Sequence, residues 1–496
     1  MLKSRVLALI LLAVLGLSPL PSVWARESSF TILFTNDQHG QLEPLPDGSG
    51  GVSRRATLID QVRKEVGADK VVLVDSGDLF TGGALSGLTR GEADCAAYQA
   101  MGYDAVALGN HDLDYGLAAL REYRTQFHTP WISANLIQHG MNPLRPYVLK
   151  YAGVRVGMIG FSTPETPRLT RRANVRGMVF NPPAAVAKGL HTILKKDADI
   201  FIAVSHLGLT EDKKLAQAAP FLHVIVGGHS HDLLKEPVGT LRANGSPTGP
   251  IIVQAGSRGE VLGRLDLTVE GSRKEGYRIV RFKYRLVPVA ADVTPDPILE
   301  KILDGYRAKV GKGLDDKITQ VPTDSPRQND GDWPFACLAA DAVRQAGGAE
   351  VALLNAGSFR QDLRAGALTQ RAYWEIFPFD DVVEVLVLRG SILRDVLERS
   401  ALQKGTSAFL QVSGVAIQGK PGALDITVNG EPLSSRREYK VAMNDYLGSG
   451  GDGYDLLGRI KNREKTEMGL RAVVEKALLA KNPLPASVDP PRWSLK

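Results

Sequence analysis

Short apolar runs alternate with amphipathic helical patterns along the first half of the chain, and this alternation constrains the fold more than any other feature of the sequence. Each apolar run is bounded by Gly, Asn, Asp or Ser, as buried strands usually are. The predicted strands are 30–34, 71–74, 105–108, 200–204, 224–226 and 251–253, and the predicted helices are 54–66, 92–101, 117–123 and 183–195. Strands and helices in alternating order predict an α/β domain.

A second α/β pattern follows between about residues 318 and 479, as expected for a chain of 496 residues, which is more than one hydrophobic core usually organises. Between the two patterns, a strand-like stretch over 277–289 is followed by Pro295, Pro297 and a helical pattern over 298–310. Because proline restricts the backbone and suits the start of a helix, this connection is expected to be stiff. We therefore predict a first domain at 26–291, a linker helix at 292–312 and a smaller α/β domain at 313–496, with an irregular proline-rich tail after Asn482.

The first 25 residues predict an export signal. An apolar run over 6–17 follows Lys3 and Arg5 and is shorter than the roughly 20 residues that span a bilayer. Val23 and Ala25 offer small residues at the positions that a signal peptidase reads, so cleavage is expected after Ala25. The mature chain would then be periplasmic or secreted, without a stable membrane anchor, and a retained anchor is the alternative.

Charge and cysteine content exclude two other classes of protein. The net charge of +6 falls to +4 when Lys3 and Arg5 leave with the predicted signal. No run of Lys or Arg forms the basic stripe of a nucleic-acid binder, so nucleic acid is not an expected partner. Cys95 and Cys337 each lie in an apolar helical pattern, which predicts two buried free thiols rather than a disulfide framework. The sequence does not indicate an oligomeric state.

Polar residues of a few kinds follow the predicted strands of the first domain. They are Asp37, His39, Asp78, Asn110, His206, His229 and His231. Ligands of open α/β sheets bind beyond the carboxyl ends of the strands, so these side chains can converge on one crevice. Carboxylates and an amide supply oxygen, and imidazoles supply nitrogen, a mixture that predicts a metal site.

Spacing in two of these segments supports a site for two ions. In Asp37-x-His39 and His229-x-His231, an extended or turning backbone lets alternate side chains reach the same side. Buried carboxylates without a partner are costly, so cations are the natural compensation. Each segment alone has an ordinary alternative, because an Asp-x-His pair is often a capped turn or a hydrogen-bonded pair.

Taken in order, the segments TNDQHG, DSGD, GNHDLDYG, SHLG and GGHSH resemble the motifs of the calcineurin-like metallophosphoesterase superfamily, and GNHDLDYG resembles its 5′-nucleotidase branch. The resemblance implies a first domain of two stacked sheets flanked by helices, an α/β/β/α arrangement, with two divalent ions such as Zn, Mn or Co. It implies one ion held by Asp37, His39, Asp78 and His231, and another held by Asp78, Asn110, His206 and His229. His231 stands where many relatives have Gln or Asn, which could change the metal preference.

His111 and Asp114 lie in the same GNHDLDYG segment, next to Asn110. Three residues of separation place Asp114 within reach of the His111 imidazole on a helical turn. The resemblance implies that this pair stabilises the transition state and protonates the leaving group. The alternative is that Asp114 is an acid in the first turn of a helix, where the helix dipole favours it.

Three segments of the second domain, NAGSFR (355–360), FPFDD (377–381) and NDYLGSGGDGYD (444–455), resemble the substrate motifs of the 5′-nucleotidase C-terminal domain. The resemblance implies two aromatics around the base, an Asp on the ribose and arginines on the phosphate. The candidate residues are Asn355, Arg360, Phe379, Asp381, Tyr446 and Asp452, with Arg327 as a further phosphate candidate. Asp381 stands where the family has Asn, which is expected to change which bases can donate to it. The alternative is that both aromatics are core residues.

These features predict a hydrolase that uses two divalent ions to cleave 5′-nucleotides to a nucleoside and phosphate, with nucleotide sugars or 2′,3′-cyclic nucleotides as further candidate substrates. A positioned acid or base contributes only about 10²- to 10⁴-fold, whereas phosphate monoester hydrolysis needs up to about 10²¹-fold. Metal ions are therefore expected to carry much of the acceleration. The alternatives are a hydrolase of another ester, as in the sulfur-oxidation branch of the superfamily, and a non-catalytic two-domain solute-binding protein.

Overall fold

The structure of the chain is a computed structural model that describes residues 26–140, 142, 144–311, 313–481, 483–488 and 490–496. The predicted export signal lies outside the described residues. Across those ranges the chain forms two α/β domains, each with its own apolar clusters, as predicted. Within the same ranges, none of the helices combines the length and the apolar character needed to cross a membrane.

The elements of the first domain follow the predicted alternation. Its strands are β1 (Arg26–Thr35), β2 (Val71–Asp75), β3 (Ala105–Ala107), β4 (Trp131–Ile132), β5 (Leu136–Gln138), β6 (Tyr147–Tyr151), β7 (Arg155–Ser162), β8 (Met178–Phe180), β9 (Ile200–His206), β10 (Val224–Val226), β11 (Ile251–Val253), β12 (Val261–Ser272) and β13 (Gly276–Pro288). Its helices are α1 (Val52–Val66), α2 (Ala84–Leu88), α3 (Glu92–Met101), α4 (Gly116–Phe127), α5 (Thr166–Leu169), α6 (Pro183–Leu194) and α7 (Leu209–Ala218).

Two sheets pack face to face in this domain. One has the order β13-β12-β1-β2-β3-β4 and the other has the order β11-β10-β9-β7-β6. Apolar side chains of both sheets share one buried cluster, with Ile32 and Val72 from the first sheet and Ile202 and Val224 from the second. Helices α1 and α3 cover the outer face of the first sheet, and α6 and α7 cover that of the second. This layering confirms the predicted α/β/β/α arrangement.

Parallel pairing gathers the loops that carry the candidate ligands. β1, β2 and β3 pair in parallel, and so do β7, β9, β10 and β11. The carboxyl ends of parallel strands all lie at the same edge of a sheet. The loops that follow these strands therefore lie side by side. The segments after Thr35, Asp75, Ala107 and Val226, together with the end of β9 at His206, therefore surround one crevice.

The second domain is built on a further mixed sheet. Its strands are β14 (Lys317–Val321), β15 (Val351–Asn355), β16 (Gly366–Thr369), β17 (Val382–Arg389), β18 (Leu410–Ser413), β19 (Val415–Lys420), β20 (Ala423–Val428), β21 (Glu431–Pro432), β22 (Glu438–Asn444), β23 (Arg463–Gly469) and β24 (Trp493–Leu495). The central sheet has the order β18-β15-β22-β17-β23. The helices from the domain connection onward are α8 (Pro297–Val310), α9 (Pro334–Ala346), α10 (Gln370–Ile376), α11 (Gly390–Leu402), α12 (Asp445–Gly448) and α13 (Leu470–Leu479).

Helix α8 joins the domains and packs on the first of them. Asp296 caps the helix, because its side chain accepts a hydrogen bond of 2.8 Å from the backbone N–H of Leu299. Leu299 and Leu303 are buried in a core cluster of the first domain. The connection is thus anchored by apolar packing as well as by its prolines.

The end of the chain differs from the irregular tail predicted from its prolines. β24 pairs in parallel with β19, and Trp493 is buried there. The indole of Trp493 donates a hydrogen bond of 2.9 Å to the carbonyl of Leu410. The prolines precede the strand without interrupting it, so the prediction of an irregular segment is wrong for these last residues. Cys95 and Cys337 are buried free thiols, as predicted.

Candidate active site

The candidate ligands lie on tight loops with unusual backbone geometry. Asp37, His39, Asp78, His229 and His231 all have positive φ, between 49° and 74°. Residues other than glycine seldom adopt this conformation, and it persists where the surrounding structure imposes it, often at functional sites. Close packing contributes to the constraint, since a Cβ atom at Gly109 would lie 2.1 Å from a carboxylate oxygen of Asp78.

Asp78 occupies the middle of the cluster. Its Oδ2 atom lies 3.2 Å from Nε2 of His206 and 3.9 Å from Nε2 of His39. Its Oδ1 atom accepts a hydrogen bond of 2.8 Å from the backbone N–H of His111. This buried carboxylate therefore borders two groups of possible ligands.

The first group contains Asp37, His39 and His231. Nε2 of His39 lies 3.0 Å from Nε2 of His231, and Nε2 of His231 lies 3.4 Å from Oδ1 of Asp37. Burial lowers the pKa of His39 well below its ordinary value, which favours the neutral form that binds metal. The ring nitrogens of His39 and His231 need either a shared proton or a cation beside them at this distance. The neighbouring carboxylate of Asp37 favours the cation.

The second group contains Asp78, Asn110, His206 and His229. Nδ1 of His206 donates a hydrogen bond of 2.7 Å to the carbonyl of Ser76, which directs Nε2 toward Asp78 and toward Oδ1 of Asn110, 3.3 Å away. Burial opposes a charge on His206, but the Asp78 carboxylate outweighs it and raises the pKa of His206 to about 10. The site thus favours positive charge next to Asp78, as an ion-binding site must.

The donor set fits divalent metal ions. Asp37 is fully buried and Asp78 is 2% exposed, and buried carboxylates need a compensating charge. Three groups of side chains have ligand atoms within 4.8 Å of one another: Asp37, His39 and His231; His39, Asp78 and His111; and Asp78, His206 and His229. Imidazole nitrogens together with carboxylate and amide oxygens are suitable ligands for divalent metal ions.

His111 and Asp114 form a hydrogen-bonded pair beside the cluster. Nδ1 of His111 lies 2.8 Å from Oδ2 of Asp114. The hydroxyls of Thr81 and Thr170 donate to the two oxygens of Asp114, over 2.9 and 2.8 Å. Burial opposes a charge on His111, but Asp114 and Asp78 outweigh it and raise the pKa of His111. The imidazole is therefore held in one orientation and can carry a proton.

One cavity of about 440 Å³ between the domains brings the two sets of candidate residues together, and we call it the interdomain pocket. The first domain lines it with His39, Asp78, Asn110, His111, Asp114, His229 and His231, and the second domain lines it with Asn355, Arg360, Phe379, Asp381, Tyr446 and Asp452. The cavity volume lies within the range of roughly 300–1,000 Å³ that small ligands occupy.

Tyr446, Asp452 and Asn355 form one hydrogen-bonded unit in the pocket. The Tyr446 hydroxyl donates to Oδ1 of Asp452 over 2.9 Å, and the Asn355 amide donates to Oδ2 of Asp452 over 2.7 Å. The Tyr446 hydroxyl also lies 2.8 Å from the carbonyl of Arg168, which belongs to the first domain. The ring of Tyr446 packs against Gly451, where a Cβ atom would lie 2.5 Å from it.

Phe379 and Arg360 lie between this unit and the candidate ligands. The ring centroid of Phe379 is 5.8 Å from that of His111, and the Arg360 guanidinium is 6.0 Å from the Phe379 centroid. Phe379 is only half-buried, so its ring is available to the pocket. The pocket therefore has the aromatic ring of Phe379 next to the cationic side chain of Arg360.

Asp381 is engaged by neighbouring side chains. Its Oδ1 atom accepts a hydrogen bond of 2.9 Å from Arg171, and its Oδ2 atom accepts one of 2.9 Å from Asn444. Arg171 comes from the first domain, so this pair links the domains. Both oxygens of this carboxylate, which the family resemblance places near the base of a nucleotide, thus accept hydrogen bonds from protein side chains.

Sequence reasoning did not single out two residues of the site, Asp112 and Arg171. Asp112 accepts hydrogen bonds from the backbone N–H groups of Asp78 and Gly109, over 3.0 and 2.7 Å, and so fixes two ligand loops. Its position inside the GNHDLDYG segment was the available signal. Arg171 lies outside the motifs that the sequence analysis identified, and the sequence carries no pattern that separates it from other arginines.

Comparisons with known proteins agree with this architecture. The family model described as calcineurin-like phosphoesterase matches residues 30–233, and the family model described as 5′-nucleotidase, C-terminal domain, matches residues 309–459.

Similarity to individual proteins extends over nearly the whole chain. Protein UshA of Escherichia coli is 29% identical over 518 residues, with 93% of each chain covered. The 5′-nucleotidase of Vibrio cholerae is 28% identical over 512 residues, with 91% of each chain covered. Among solved structures, the 5′-nucleotidase precursor of Thermus thermophilus is 27% identical with a TM-score of 0.83, and the match covers 94% of this chain and 99% of that chain.

Proposed function

We propose that this chain, a metal-dependent phosphoric ester hydrolase similar to 5′-nucleotidases in both of its domains, hydrolyses 5′-nucleotides to a nucleoside and phosphate in the interdomain pocket. The observation that carries the proposal is the position of Asp78. This carboxylate borders both groups of possible ligands and lines the same cavity as Phe379 and Tyr446.

Seven side chains would hold two divalent ions. Asp37, His39, Asp78 and His231 would bind one ion, and Asp78, Asn110, His206 and His229 would bind the other. Such a pair of ions activates water and neutralises charge on the phosphoryl group. Asp78, which lies within 4 Å of imidazoles from both groups, would contribute to both ions.

His111 would act on the leaving group. Asp114 holds the Nδ1 side of the imidazole, which leaves Nε2 to donate a proton to the ester oxygen as the phosphorus–oxygen bond breaks. Thr81 and Thr170 fix Asp114 in turn. Arg360 would hold phosphoryl oxygens through its planar guanidinium.

The second domain would bind the nucleoside. Phe379 and Tyr446 would stack on the base, and stacking of this kind contributes about 1–3 kcal/mol per base. Asp452, oriented by Tyr446 and Asn355, would accept hydrogen bonds from the ribose hydroxyls. Nucleotide sugars and 2′,3′-cyclic nucleotides are further candidate substrates, because each joins a phosphate ester to a nucleoside.

A substrate panel tests the proposal. Phosphate release would be measured from AMP, other nucleoside monophosphates and ATP, with and without a chelator. Chromatography of the same reactions would follow the nucleoside monophosphate formed from a nucleotide sugar, the monoester formed from a 2′,3′-cyclic nucleotide and the loss of an intact thiosulfonate ester. Chelator-sensitive release from nucleotides is expected. Hydrolysis of the sulfur ester alone would favour the sulfur-oxidation branch, and binding without turnover would favour a solute-binding protein.

Export is proposed from the first 25 residues, with a periplasmic or secreted mature chain. The N-terminal sequence of the chain recovered from the exported fraction would be determined. A start at Arg26 is expected, and an intact Met1 in that fraction would contradict cleavage.

A further inference from the structure

A second cavity, of about 700 Å³, lies within the first domain at the amino ends of the parallel strands of the second sheet. β9 begins beside this cavity at Ile200 and ends at His206 among the candidate ligands, and a strand of its seven residues spans roughly 20 Å. The cavity shares none of its described lining residues with the interdomain pocket. It is therefore a separate site, and we call it the amino-end cavity.

Positive charge dominates the wall of the amino-end cavity. Asp199 is the only acidic side chain among its described lining residues, and Arg155 donates hydrogen bonds of 2.9 and 2.6 Å to its two carboxylate oxygens. The other cationic residues of the wall are Lys195, Lys196, Arg242, Arg273 and Arg278. Over the described part of the chain, only Arg278 among these five has an ion pair, a contact of 3.3 Å with Glu270. The charges of the other four are available to an anion.

A pair of stacked rings lies in the same wall. The ring centroids of His191 and Phe221 are 4.0 Å apart, and the ring planes differ by 12°. Both side chains are half-buried and line the cavity. Burial and the charge of Lys195 lower the pKa of His191, which favours its neutral ring. The cavity therefore has an aromatic surface next to the ammonium group of Lys195.

His223 fixes the inner wall of the cavity. Its Nδ1 atom accepts a hydrogen bond of 3.1 Å from the backbone N–H of Phe201, and its Nε2 atom donates one of 3.0 Å to the carbonyl of Tyr277. Phe201 belongs to β9 of the second sheet and Tyr277 to β13 of the first. The turn between β12 and β13, which carries Arg273, is thus held against the second sheet, and the protein alone shapes the cavity.

We propose that the amino-end cavity is an accessory binding site for a small anion that carries a planar ring, the chemistry of a nucleoside monophosphate. The ring would lie against His191 and Phe221, since stacking on an aromatic side chain accepts any planar base. Lys195 and the guanidinium fork of Arg273 would bind the phosphoryl oxygens. The cavity volume lies within the range of roughly 300–1,000 Å³ that small ligands occupy.

Binding without hydrolysis is expected at this site. Over the described residues, the groups of side chains that could hold a metal ion all belong to the candidate active site. The amino-end cavity therefore has no counterpart of the proposed two-ion centre, and its ligand would leave unchanged. The site is additional to the proposed function and does not depend on it.

Binding stoichiometry tests the proposal. Titration calorimetry on the metal-loaded chain would use the phosphonate analogue of AMP, in which a methylene group replaces the ester oxygen and prevents hydrolysis. The wild type is expected to bind two molecules per chain, one in each cavity. Phe221→Leu, which keeps an apolar side chain but removes the flat ring, should weaken one site by roughly 5- to 150-fold and leave the other unchanged. Lys195→Gln, at an exposed position, should weaken the same site by roughly tenfold.

Two matched variants serve as controls. Tyr151→Ala removes an exposed ring and Lys64→Gln removes an exposed charge, both outside the cavity, so both variants should keep two sites. A second site that Phe221→Leu and Lys195→Gln leave at wild-type affinity would overturn the proposal.

Partial ligands test whether ring and anion are both needed. Adenosine and methylphosphonate should each bind the amino-end cavity more weakly than the AMP analogue, by roughly tenfold or more. Equal affinity of methylphosphonate would assign the cavity to simple anions and overturn the proposal.

A single bound molecule in the wild type separates this proposal from the proposed function. If that molecule is lost in Phe221→Leu and kept in Phe379→Ala, the amino-end cavity stands and nucleotide binding in the interdomain pocket fails. If it is lost in Phe379→Ala and kept in Phe221→Leu, the interdomain pocket stands and the accessory site fails.

Discussion

Nδ1 of His111 lies 2.8 Å from Oδ2 of Asp114, across a single 3₁₀ turn, and the same carboxylate oxygen accepts a hydrogen bond from Thr81. The turn lies just after β3, where the backbone N–H of Asp114 donates a hydrogen bond of 3.0 Å to the carbonyl of His111 and the Asp112 carboxylate accepts one of 2.7 Å from the backbone N–H of Gly109. The imidazole is thereby fixed beside the candidate ligands, with its ring centroid 5.4 Å from that of His39.

His111→Ala should lower kcat for AMP by about 10²- to 10⁴-fold, because the leaving oxygen would lose its proton donor. The metal content per chain should stay at the wild-type value. Steady-state kinetics and elemental analysis measure the two quantities, and His128→Ala, at an exposed helix end, serves as the control. Unchanged kcat would remove His111 from the reaction, and loss of metal would make it a ligand.

Tyr446→Ala should raise KM for nucleotides by about 5- to 150-fold, the equivalent of about 1–3 kcal/mol of stacking. Turnover of methyl phosphate, which has no base, should change little. Tyr446→Phe keeps the ring and loses the hydrogen bond to Asp452, so it separates stacking from hydrogen bonding. If the Ala and Phe variants raised KM equally, the ring would not be the binding element.

Asp381→Asn should raise KM by a similar factor for adenine, guanine and uracil nucleotides. Both oxygens of Asp381 are bonded to Arg171 and Asn444, so the carboxylate supports the domain interface. Arg171 keeps a contact of 3.5 Å to Asp445, which limits the expected loss to about 1–2 kcal/mol, or roughly 5- to 30-fold. Asp395→Asn, on the exposed side of α11, is the control. A change confined to one base would instead show that Asp381 reads the base.

Asp94→Asn should remove a pH dependence of folding stability. Burial raises the pKa of Asp94 to about 7, although the Ser86 hydroxyl partly offsets it. An unfolded aspartate titrates near 3.9. From about pH 4 to pH 7 the folded chain therefore holds a proton that the unfolded chain has released, and stability falls as pH rises through this window.

Urea unfolding at pH 5 and pH 8 measures this effect. Asp94→Asn should increase the free energy of unfolding by about 3 kcal/mol more at pH 8 than at pH 5. The reason is that pH 5 lies roughly two units below the pKa of Asp94 in the folded chain. Asp60→Asn, on the solvent side of α1, should show no such difference. An equal gain at both pH values would contradict the raised pKa.

Much of the fold could be predicted because the strands of the first domain are continuous apolar runs. β2, β9 and β10 are buried along their whole length, and such strands are visible in a single sequence. β24 could not be predicted, because three residues next to prolines carry no periodicity. Its pairing depends on Trp493 reaching a cluster built from distant segments.

The candidate ligands could be placed on loops from sequence, whereas the contacts between domains could not. His206 and Asp78 are separated by more than a hundred positions, yet both follow parallel strands, so their meeting follows from topology. The contact between Arg171 and Asp381 depends on how the domains dock. That docking engages both oxygens of Asp381, which explains why its carboxylate is not free to face a base.

Joint measurement of metal content and phosphate release tests the role of Asp78 most directly. Divalent ions would be removed with a chelator and returned stepwise, with ions per chain and phosphate release from AMP measured at each step. We predict that release is lost with the ions, that it returns as about two ions per chain are restored, and that Asp78→Asn recovers neither. Phosphate release that continues in a chain stripped of divalent ions would contradict the proposed two-ion site.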